Sequence, residues 1–504
     1  METTIFGPPG TGKTTKLISI VKDAISNGMD PTRIAFMSFS KKAAEEAKQR
    51  ALAELPVDEQ SLLWFRTLHS LAFNWLGMRS QDVFKGRDYN ELGKLVGLEF
   101  MANASNNMSE GVLFTPGSGG DKYLSMIQMA RVREISLEQQ FNDSADYHLH
   151  YQQLTTLAKA YKDYKKQIAK RDFVDMIEDF IDQGTGPSYD LLIIDEAQDL
   201  APLQWRMVKE VLVPNSKRVY YAGDDDQCIY SWMGVRVSDF LNASDHKMVL
   251  DKSYRVPLSV HDFSNDLIKR VTTRQDKVWQ PTERQGNLSW HRDIMELDLE
   301  SGEWLILART NYIANKIAAQ LKDDGYLFWR EGAGWSLSQN VLNGIEVWLK
   351  LCKGFSLSAA ELKNFSKLIN GNVITKSGRK NLSSLDPDLS YTLEDIIDSC
   401  SLNVNAEMKW MNVLKVSDKE IGYITSVRRR GERLLSGSPR IRISTIHKAK
   451  GGEADNVALF LDSTKACMDN LDQDSEVRVF YVGATRAKQH LHLIEPTGYY
   501  GFSI

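Results

Sequence analysis

The chain has 504 residues, of which 42% are hydrophobic and 25% are charged, and its formal net charge is −4. This length suffices for two to four domains with buried cores. The mild acidity excludes a wholly basic, histone-like binder, although a local basic groove with aromatic side chains could still hold a nucleic-acid strand. No apolar run approaches the roughly 18 residues of a membrane span, and the four cysteines form no C-x-x-C pair that would indicate zinc or iron–sulfur binding. We therefore expect a cytoplasmic protein without a membrane association.

The first elements alternate between strand and helix. Apolar strands are predicted at Thr3–Phe6 and Arg33–Phe39, and helices at Thr14–Ser26 and Lys41–Leu55, with a glycine-rich loop before the first helix. Such alternation is typical of a parallel sheet covered by helices.

The loop after the first strand matches the pattern G-x-x-x-x-G-K-[ST]. Glycines at these positions let backbone N–H groups turn towards phosphates, Lys13 reaches the β and γ oxygens, and the Thr14 hydroxyl ligates Mg²⁺. The following helix directs its positive end at the anion. We expect the nucleotide to contact Gly7, Pro8, Pro9, Gly10, Thr11, Gly12, Lys13, Thr14 and Thr15.

A further buried strand, Leu191–Ile194, ends in two carboxylates. Asp195 is expected to hold Mg²⁺, and Glu196 to polarise the attacking water as a general base. An acidic pair at a strand end can also be merely solvated, but its position after a phosphate loop favours the catalytic interpretation.

The rest of the chain indicates a second α/β core and two helix-rich insertions. Strands are predicted at Arg218–Ala222, Trp304–Ala308, Ile441–Ile446, Asn456–Leu461 and His490–Ile494. The predicted fold class is α/β, with two parallel-sheet domains that are each interrupted by a helical insertion. The predicted boundaries are 1–75 and 172–262 for the first core, 76–171 for its insertion, 263–333 and 437–504 for the second core, and 334–436 for a reduced second insertion.

Eight short motifs occur in the order found in the UvrD/Rep/PcrA group of superfamily 1 DNA helicases, and the chain resembles that group. The phosphate loop is the first of them. The others are Phe39-Ser40-Lys41-Lys42-Ala43-Ala44, Thr67-Leu68-His69-Ser70, Asp195-Glu196-Ala197-Gln198-Asp199, Gly223-Asp224-Asp225-Asp226-Gln227-Cys228-Ile229-Tyr230-Ser231-Trp232, Tyr254-Arg255, Thr445-Ile446-His447-Lys448-Ala449-Lys450-Gly451-Gly452-Glu453 and Tyr481-Val482-Gly483-Ala484-Thr485-Arg486-Ala487.

This resemblance implies RecA-like motor domains and ATP with Mg²⁺ as cofactors. It assigns Gln227 as the γ-phosphate sensor, Arg255 and Arg486 as arginine fingers, Tyr254 as a stacking partner of adenine, and Glu453 as a ribose contact. An arginine supplied across a cleft stabilises the charge of phosphoryl transfer. With both arginines in or beside the second core, hydrolysis is expected to require cleft closure.

The resemblance also implies a monomeric motor that binds single-stranded DNA and single-strand/duplex junctions and meets replication or repair proteins. Aromatic side chains can stack on bases, whereas polar groups contact the backbone. An aromatic residue can equally be core, and His447 can be a structural histidine. The expected DNA contacts are Phe39, Thr67, His69, Tyr230, Trp232, Arg309, Asn311 and His447.

The sequence departs from the family pattern in several places. The phosphate loop starts at Gly7, which leaves no room for the usual upstream adenine-reading glutamine, so we expect a relaxed nucleotide preference. Met233 and Thr15 stand where arginine is common. The compact chain would suit a phage-encoded enzyme in the host cytoplasm. The run Arg428-Arg429-Arg430 is interpreted as a solvated face, with duplex contact as the alternative.

The motifs leave alternatives open. A translocase that strips proteins from single strands without unwinding would share all of them, and the preference for DNA over RNA and the 3′→5′ direction follow from the resemblance. A nucleotide-gated binding protein without turnover would need a defective Glu196 or arginine finger, and both are present.

Overall fold

A computed structural model describes residues 1–101, 118–144, 148–432, 439–469 and 472–504. The chain folds into two compact units. The first unit contains Met1–Gly286 and Leu471–Thr485, and the second contains Asn287–Asn470 and Arg486–Ile504. Within the described ranges, no helix has both the length and the apolar character needed to traverse a bilayer.

The first unit is built on a six-stranded parallel sheet with the order β3-β2-β4-β5-β1-β6. Most of its strand residues are buried, as expected when helices cover both faces. The strands are β1 Glu2–Phe6, β2 Ile34–Ser38, β3 Phe65–Thr67, β4 Tyr189–Asp195, β5 Ser216–Gly223 and β6 His246–Val249.

Helices pack on both faces of this sheet. Leu17, Ile18 and Ala47 belong to one core, and Leu71 and Phe180 to the other. The helices up to residue 286 are α1 Lys13–Ser26, α2 Lys41–Glu54, α3 Leu68–Trp75, α4 Arg87–Val96, α5 Gly119–Arg133, α6 Leu137–Asn142, α7 Tyr151–Gln167, α8 Phe173–Gln183, α9 Pro202–Met207, α10 Val237–Leu241 and α11 Leu258–Ile268.

Helices α4 to α7 have an apolar core of their own, which includes Phe84, Leu124 and Tyr161. They are joined to α8 by a buried ionic network, in which Lys165 contacts both Asp172 and Asp175. This helical region lies within residues 76–171, which the sequence predicts as the first insertion.

The second unit is built on a seven-stranded sheet with the order β10-β9-β13-β8-β14-β15-β7. All neighbours are parallel except β9 and β10, and a separate antiparallel pair joins β11 to β12. The strands are β7 Asn287–His291, β8 Trp304–Ala308, β9 Trp329–Arg330, β10 Gly334–Trp335, β11 Leu357–Ser358, β12 Ser390–Tyr391, β13 Ile441–Thr445, β14 Ala454–Phe460 and β15 Ala487–Ile494.

Most helices of the second unit surround a separate core that contains Trp348, Leu362, Ile396 and Ile424. The last helix, α20, belongs to the first unit. The helices are α12 Asn311–Asp323, α13 Gln339–Cys352, α14 Ala359–Ser366, α15 Lys376–Ser383, α16 Leu393–Cys400, α17 Trp410–Val413, α18 Asp418–Arg429, α19 Lys465–Asp469 and α20 Gln473–Ala484.

The predicted α/β class with two RecA-like parallel sheets is confirmed. The first compact unit continues to Gly286 and includes α20, whereas the sequence assigned 263–333 and 437–504 to the second core. The proposed domain boundaries stay predictions. Residues 102–117 and 145–147 of the first predicted insertion and 433–436 of the second lie outside the described residues.

Candidate active site

The phosphate loop, residues 7–14, connects β1 to α1 and depends on glycine at two positions. Gly10 and Gly12 have φ angles of 74° and 73°, in the left-handed region that favours glycine. A Cβ atom on Gly10 would also lie 2.5 Å from the Cβ of Arg255. The Gly7 N–H donates to the Gly223 carbonyl oxygen over 2.8 Å, which ties the loop to the end of β5.

Lys13 meets the two carboxylates that end β4. Its Nζ donates to Glu196 Oε1 over 2.7 Å and lies 3.9 Å from Asp195 Oδ1. Glu196 has a φ angle of 55°, which is unusual for a residue other than glycine and is typical of functional positions. The structure therefore brings together three residues that the sequence singled out separately.

Electrostatics distinguishes the members of this group. Burial raises the pKa of Asp195 to about 6, with a further contribution from the charge of Glu196, although Lys13 lowers it. Burial alone would lower the pKa of Lys13, but Glu196 and Asp195 outweigh it and hold this pKa above its usual value. Lys13 thus remains charged and offsets part of the negative charge of the two carboxylates.

Hydrogen bonds extend from Glu196 towards the predicted phosphate sensor. Gln198 Nε2 donates to Glu196 Oε2 over 2.6 Å, and Gln198 Oε1 accepts from the Asp224 backbone N–H over 3.1 Å. The Asp224 side chain in turn accepts from Gln227 Nε2 over 2.7 Å. A continuous chain of contacts therefore links Lys13 to Gln227.

A buried ionic cluster contacts Gln227, the predicted γ-phosphate sensor, through Asp224. Asp224, Asp225 and Asp226 are the one group of potential metal ligands of its kind within the described residues, but the Lys277 ammonium contacts all three. The acidic triplet belongs to the motif that runs from Gly223 to Trp232, whereas Lys277 lies 53 positions after Asp224 and has no local signal in the sequence.

Ser253, Tyr254 and Arg255 lie against the phosphate loop. Ser253 Oγ donates to the Pro9 carbonyl oxygen over 2.8 Å, and the Tyr254 N–H donates to the Gly10 carbonyl oxygen over 2.8 Å. The Tyr254 ring is 68% exposed, so its face is accessible to a base. Arg255 belongs to the first unit together with Lys13, not to the second core.

Phe39, Tyr230 and Trp232 form what we call the aromatic face. The rings of Phe39 and Tyr230 are stacked at a centroid distance of 5.7 Å, and Trp232 meets Tyr230 edge-on at 6.5 Å. Trp232 is 55% exposed, which is unusual for a tryptophan in a core. The face follows β2 and β5, at the carboxyl edge of the first sheet.

Thr67 and His69 have local structural contacts. Thr67 caps α3, because its hydroxyl accepts from the Ser70 N–H over 3.2 Å. The His69 ring packs edge-on against Phe173, and burial, aided by the charge of Lys41, lowers the pKa of His69 to about 4. His69 is therefore neutral near pH 7, and any phosphate contact would be a neutral hydrogen bond.

The second-unit candidates fall on two opposite edges of its sheet. Arg309 follows β8 and His447 follows β13, and these neighbouring strands pair Ala308 with Thr445 at their carboxyl ends. Asn311 is the first residue of α12 at the same edge.

Glu453 and Arg486 instead precede β14 and β15 at the amino edge, where the Ala454 N–H donates to the Arg486 carbonyl oxygen over 3.2 Å. The nucleotide roles of Glu453 and Arg486 stay predictions.

Comparison with known proteins identifies two domain families in the chain. Residues 1–247 match the UvrD/REP helicase N-terminal domain, and residues 440–494 match the UvrD-like helicase C-terminal domain. The two matches lie in the order in which the motifs occur.

Several curated helicases are similar to the chain. ATP-dependent DNA helicase PcrA of Leuconostoc citreum is 25% identical over 58% of this chain and 41% of its own length. PcrA of Staphylococcus aureus is 21% identical over 58% of the chain and 42% of its length. A probable DNA helicase II homolog of Mycoplasma pneumoniae is 21% identical over 97% of the chain and 81% of its length. The chain thus matches less than half the length of these PcrA relatives. With both helicase domains matched, the chain belongs to the UvrD/Rep/PcrA-like family of superfamily 1 helicases.

Proposed function

We propose that the chain is an ATP-dependent single-stranded DNA translocase and a 3′→5′ DNA helicase. The observation that carries this proposal is the segment from Asp224 to Trp232. Its first part holds the predicted phosphate sensor Gln227 in the hydrogen-bond chain from Lys13. Its last part supplies Tyr230 and Trp232 to the aromatic face. A change at the nucleotide can therefore be transmitted to a base through a few residues of one loop.

The nucleotide chemistry follows from the side chains at the loop. Lys13 now pairs with Glu196, and an incoming γ-phosphate would compete for the ammonium group. Release from Lys13 leaves Glu196 able to accept a proton from the attacking water. Arg255 and Arg486 are proposed to stabilise the charge that develops on the transferred phosphoryl group.

Oxygen ligands suited to Mg²⁺ are present at the same place. Thr14 lies in the first turn of α1, and Asp195 is a buried carboxylate beside Lys13. This hydroxyl–carboxylate set fits a hard cation. When bound, Mg²⁺ would neutralise charge on the β and γ oxygens.

The polynucleotide is proposed to lie on the aromatic face and to continue along Thr67, His69, Arg309, Asn311 and His447. Base stacking supports a sequence-tolerant grip. The choice of DNA is supported by the names of the PcrA relatives, which are ATP-dependent DNA helicases. The direction 3′→5′ and the choice of ATP, with Tyr254 and Glu453 as base and ribose contacts, rest on the family resemblance.

Strand displacement on matched duplexes tests this function. The duplexes carry either a 3′ or a 5′ single-stranded tail and are incubated with ATP and Mg²⁺, with Lys13→Ala as the inactive control. We expect displacement from the 3′-tailed duplex alone. Displacement from the 5′-tailed duplex would contradict the polarity. If neither duplex opens, displacement of streptavidin from biotinylated single strands separates a protein-stripping translocase from an inactive protein.

A further inference from the structure

We infer that Lys277 is a positioning residue for nucleotide hydrolysis, which acts by fixing Asp224 so that Asp224 orients the amide of Gln227. This inference rests on the proposed function and adds to it a residue outside all the motifs that carried the resemblance.

Asp224 connects Lys277 to Gln227, the predicted γ-phosphate sensor. The Lys277 Nζ lies 2.9 Å from Asp224 Oδ1, whereas the other oxygen of the same carboxylate, Oδ2, accepts from Gln227 Nε2 over 2.7 Å. Asp224 Oδ1 also accepts from the Asp226 N–H over 3.2 Å. One oxygen of Asp224 is therefore held by the cation and the turn, and the other binds the sensor. Since the carboxylate is planar, holding the first oxygen also sets the direction of the second.

Lys277 is a fixed internal cation. Its side chain is 0% exposed, and besides Asp224 it contacts Asp225 and lies 2.8 Å from Asp226 Oδ2. Burial of a charge is costly unless it is paired, and three carboxylates with one ammonium would still be unbalanced. Arg274 supplies the second positive charge, because its Nε and Nη2 bind Asp226 over 2.9 and 2.8 Å.

The Asp224 carboxylate, paired with Lys277, also restricts the orientation of the Gln227 amide. An ionised Asp224 can only accept hydrogen bonds, so the Gln227 amide must present its NH₂ group to it. That leaves the amide oxygen on the other side in a single orientation. Without the ammonium, Asp224 Oδ1 would keep the Asp226 N–H at 3.2 Å but lose its cation, and the carboxylate could rotate and release the Gln227 amide.

The same cluster connects the sensor turn to two other parts of the first unit. The Gln275 N–H donates to Asp225 Oδ2 over 2.7 Å, and Arg478 Nε on α20 donates to the Asp225 carbonyl oxygen over 2.9 Å. The Lys277 segment and α20 therefore contact the turn that carries Gln227, so the position of this amide depends on both.

The test is a double-mutant cycle between Lys277→Met and Gln227→Ala. Hydrolysis is measured under single-turnover conditions with saturating single-stranded DNA, and nucleotide KM and the thermal midpoint are recorded in parallel. We expect Lys277→Met to lower the rate about tenfold or more with little change in KM. It should lower the rate no further in the Gln227→Ala background, because groups that act as a unit are not additive. Equal losses in both backgrounds would overturn the inference.

Because Lys277→Met leaves three buried carboxylates with one cation, it could fail to fold. Asp224→Asn then replaces it in the same cycle, since an asparagine cannot accept from Lys277 and Gln227 as the carboxylate does. Asp226→Asn is the matched control, because Asp226 contacts the same cation and does not serve as the Gln227 acceptor. We expect Asp226→Asn to lower the thermal midpoint while its rate loss remains additive with Gln227→Ala.

A rate loss from Asp226→Asn that also disappears in the Gln227→Ala background would contradict a specific path through Asp224. Strand-stimulated hydrolysis by the unmodified chain is the internal reference. If that activity is absent, the proposed function fails, whereas an active chain with an additive cycle refutes the role of Lys277 alone.

Discussion

The phosphate loop with its partners and the aromatic face lie in the same unit but differ in burial and in pairing. The side chain of Lys13 is 12% exposed and pairs with Glu196 over 2.7 Å, whereas Trp232 is 55% exposed and meets Tyr230 only edge-on. A buried charge needs a partner before the ligand arrives, because an unpaired one is costly. An exposed ring carries no such requirement. A nucleotide must therefore displace the contact between Lys13 and Glu196, whereas a base can add a contact to the exposed ring of Trp232.

The largest effect is expected from a change in the charged group around Lys13. Glu196→Gln removes the proposed general base and keeps the size of the side chain. Strand-stimulated hydrolysis should fall by about 10²- to 10⁴-fold, which is typical when a general base is lost. Nucleotide binding, followed with a fluorescent ADP analogue, should be retained, since Lys13 is freed for the phosphates. A rate within threefold of the unmodified chain would rule out Glu196 as the base.

Trp232→Ala tests the aromatic side. Loss of one stacked base is worth about 1–3 kcal/mol, so strand affinity and strand-stimulated hydrolysis should fall by about five- to 100-fold. The thermal midpoint and the basal rate should be unchanged, because the ring is more than half exposed. Trp290→Ala is the matched control, since Trp290 is 50% exposed and lies on β7 of the second unit. Equal losses of basal and stimulated hydrolysis in Trp232→Ala would remove Trp232 from the strand path.

Tyr254 combines features of both regions, because its N–H is bonded to the phosphate loop while its ring is exposed. Tyr254→Ala should raise the nucleotide KM several-fold, since an aromatic contact is worth about 1 kcal/mol. Tyr254→Phe should behave like the unmodified chain, because stacking needs the ring and not the hydroxyl. Steady-state hydrolysis over a range of ATP concentrations measures both. A KM that rises equally in the two variants would indicate a role for the hydroxyl instead.

The last prediction concerns stability instead of activity, and it involves His69, which borders the same cavity as Phe39. Its pKa is about 4 when folded and about 6.5 in an unfolded chain. The unfolded state therefore binds the proton more tightly, so His69 lowers the stability progressively as the pH falls from about 6.5 to about 4. The loss should reach about 3 kcal/mol. Urea unfolding of His69→Phe should lack this part of the pH dependence, with the exposed His246→Gln as control. Identical pH profiles for all three proteins would contradict the burial effect.

The sequence anticipated features that depend on local spacing. The strand Trp304–Ala308 was predicted correctly to the residue. In the phosphate loop, the backbone requires glycine at Gly12, which the pattern specifies, and at Gly10, which the pattern leaves open. The predicted strand Arg33–Phe39 ends earlier, at Ser38, because Ser40 accepts from the Ala43 N–H and caps α2. Local signals therefore located the predicted strands within a few residues, whereas β3, β6 and β7 were not predicted.

Long-range contacts could not be predicted from the sequence. Nothing near Lys277 or Arg274 indicates that they neutralise the Asp224–Asp226 triplet, since only the folded chain brings them together. Gln198 belongs to one of the eight motifs, yet its bonds to both Glu196 and Asp224 form only because β4 and β5 are adjacent. The division of the chain at Gly286, and the packing of α20 in the first unit, likewise had no sequence signal.

The most direct test of the coupling between nucleotide and strand is the rate of ATP hydrolysis by the unmodified chain with and without single-stranded oligodeoxythymidine. Hydrogen bonds link Lys13 and Glu196 to Gln227, and Tyr230 of the aromatic face follows Gln227 by three residues in the same loop. We therefore predict that the oligonucleotide raises the rate about tenfold or more, and that an equal concentration of blunt duplex does not. The same rate with and without the single strand would contradict the coupling.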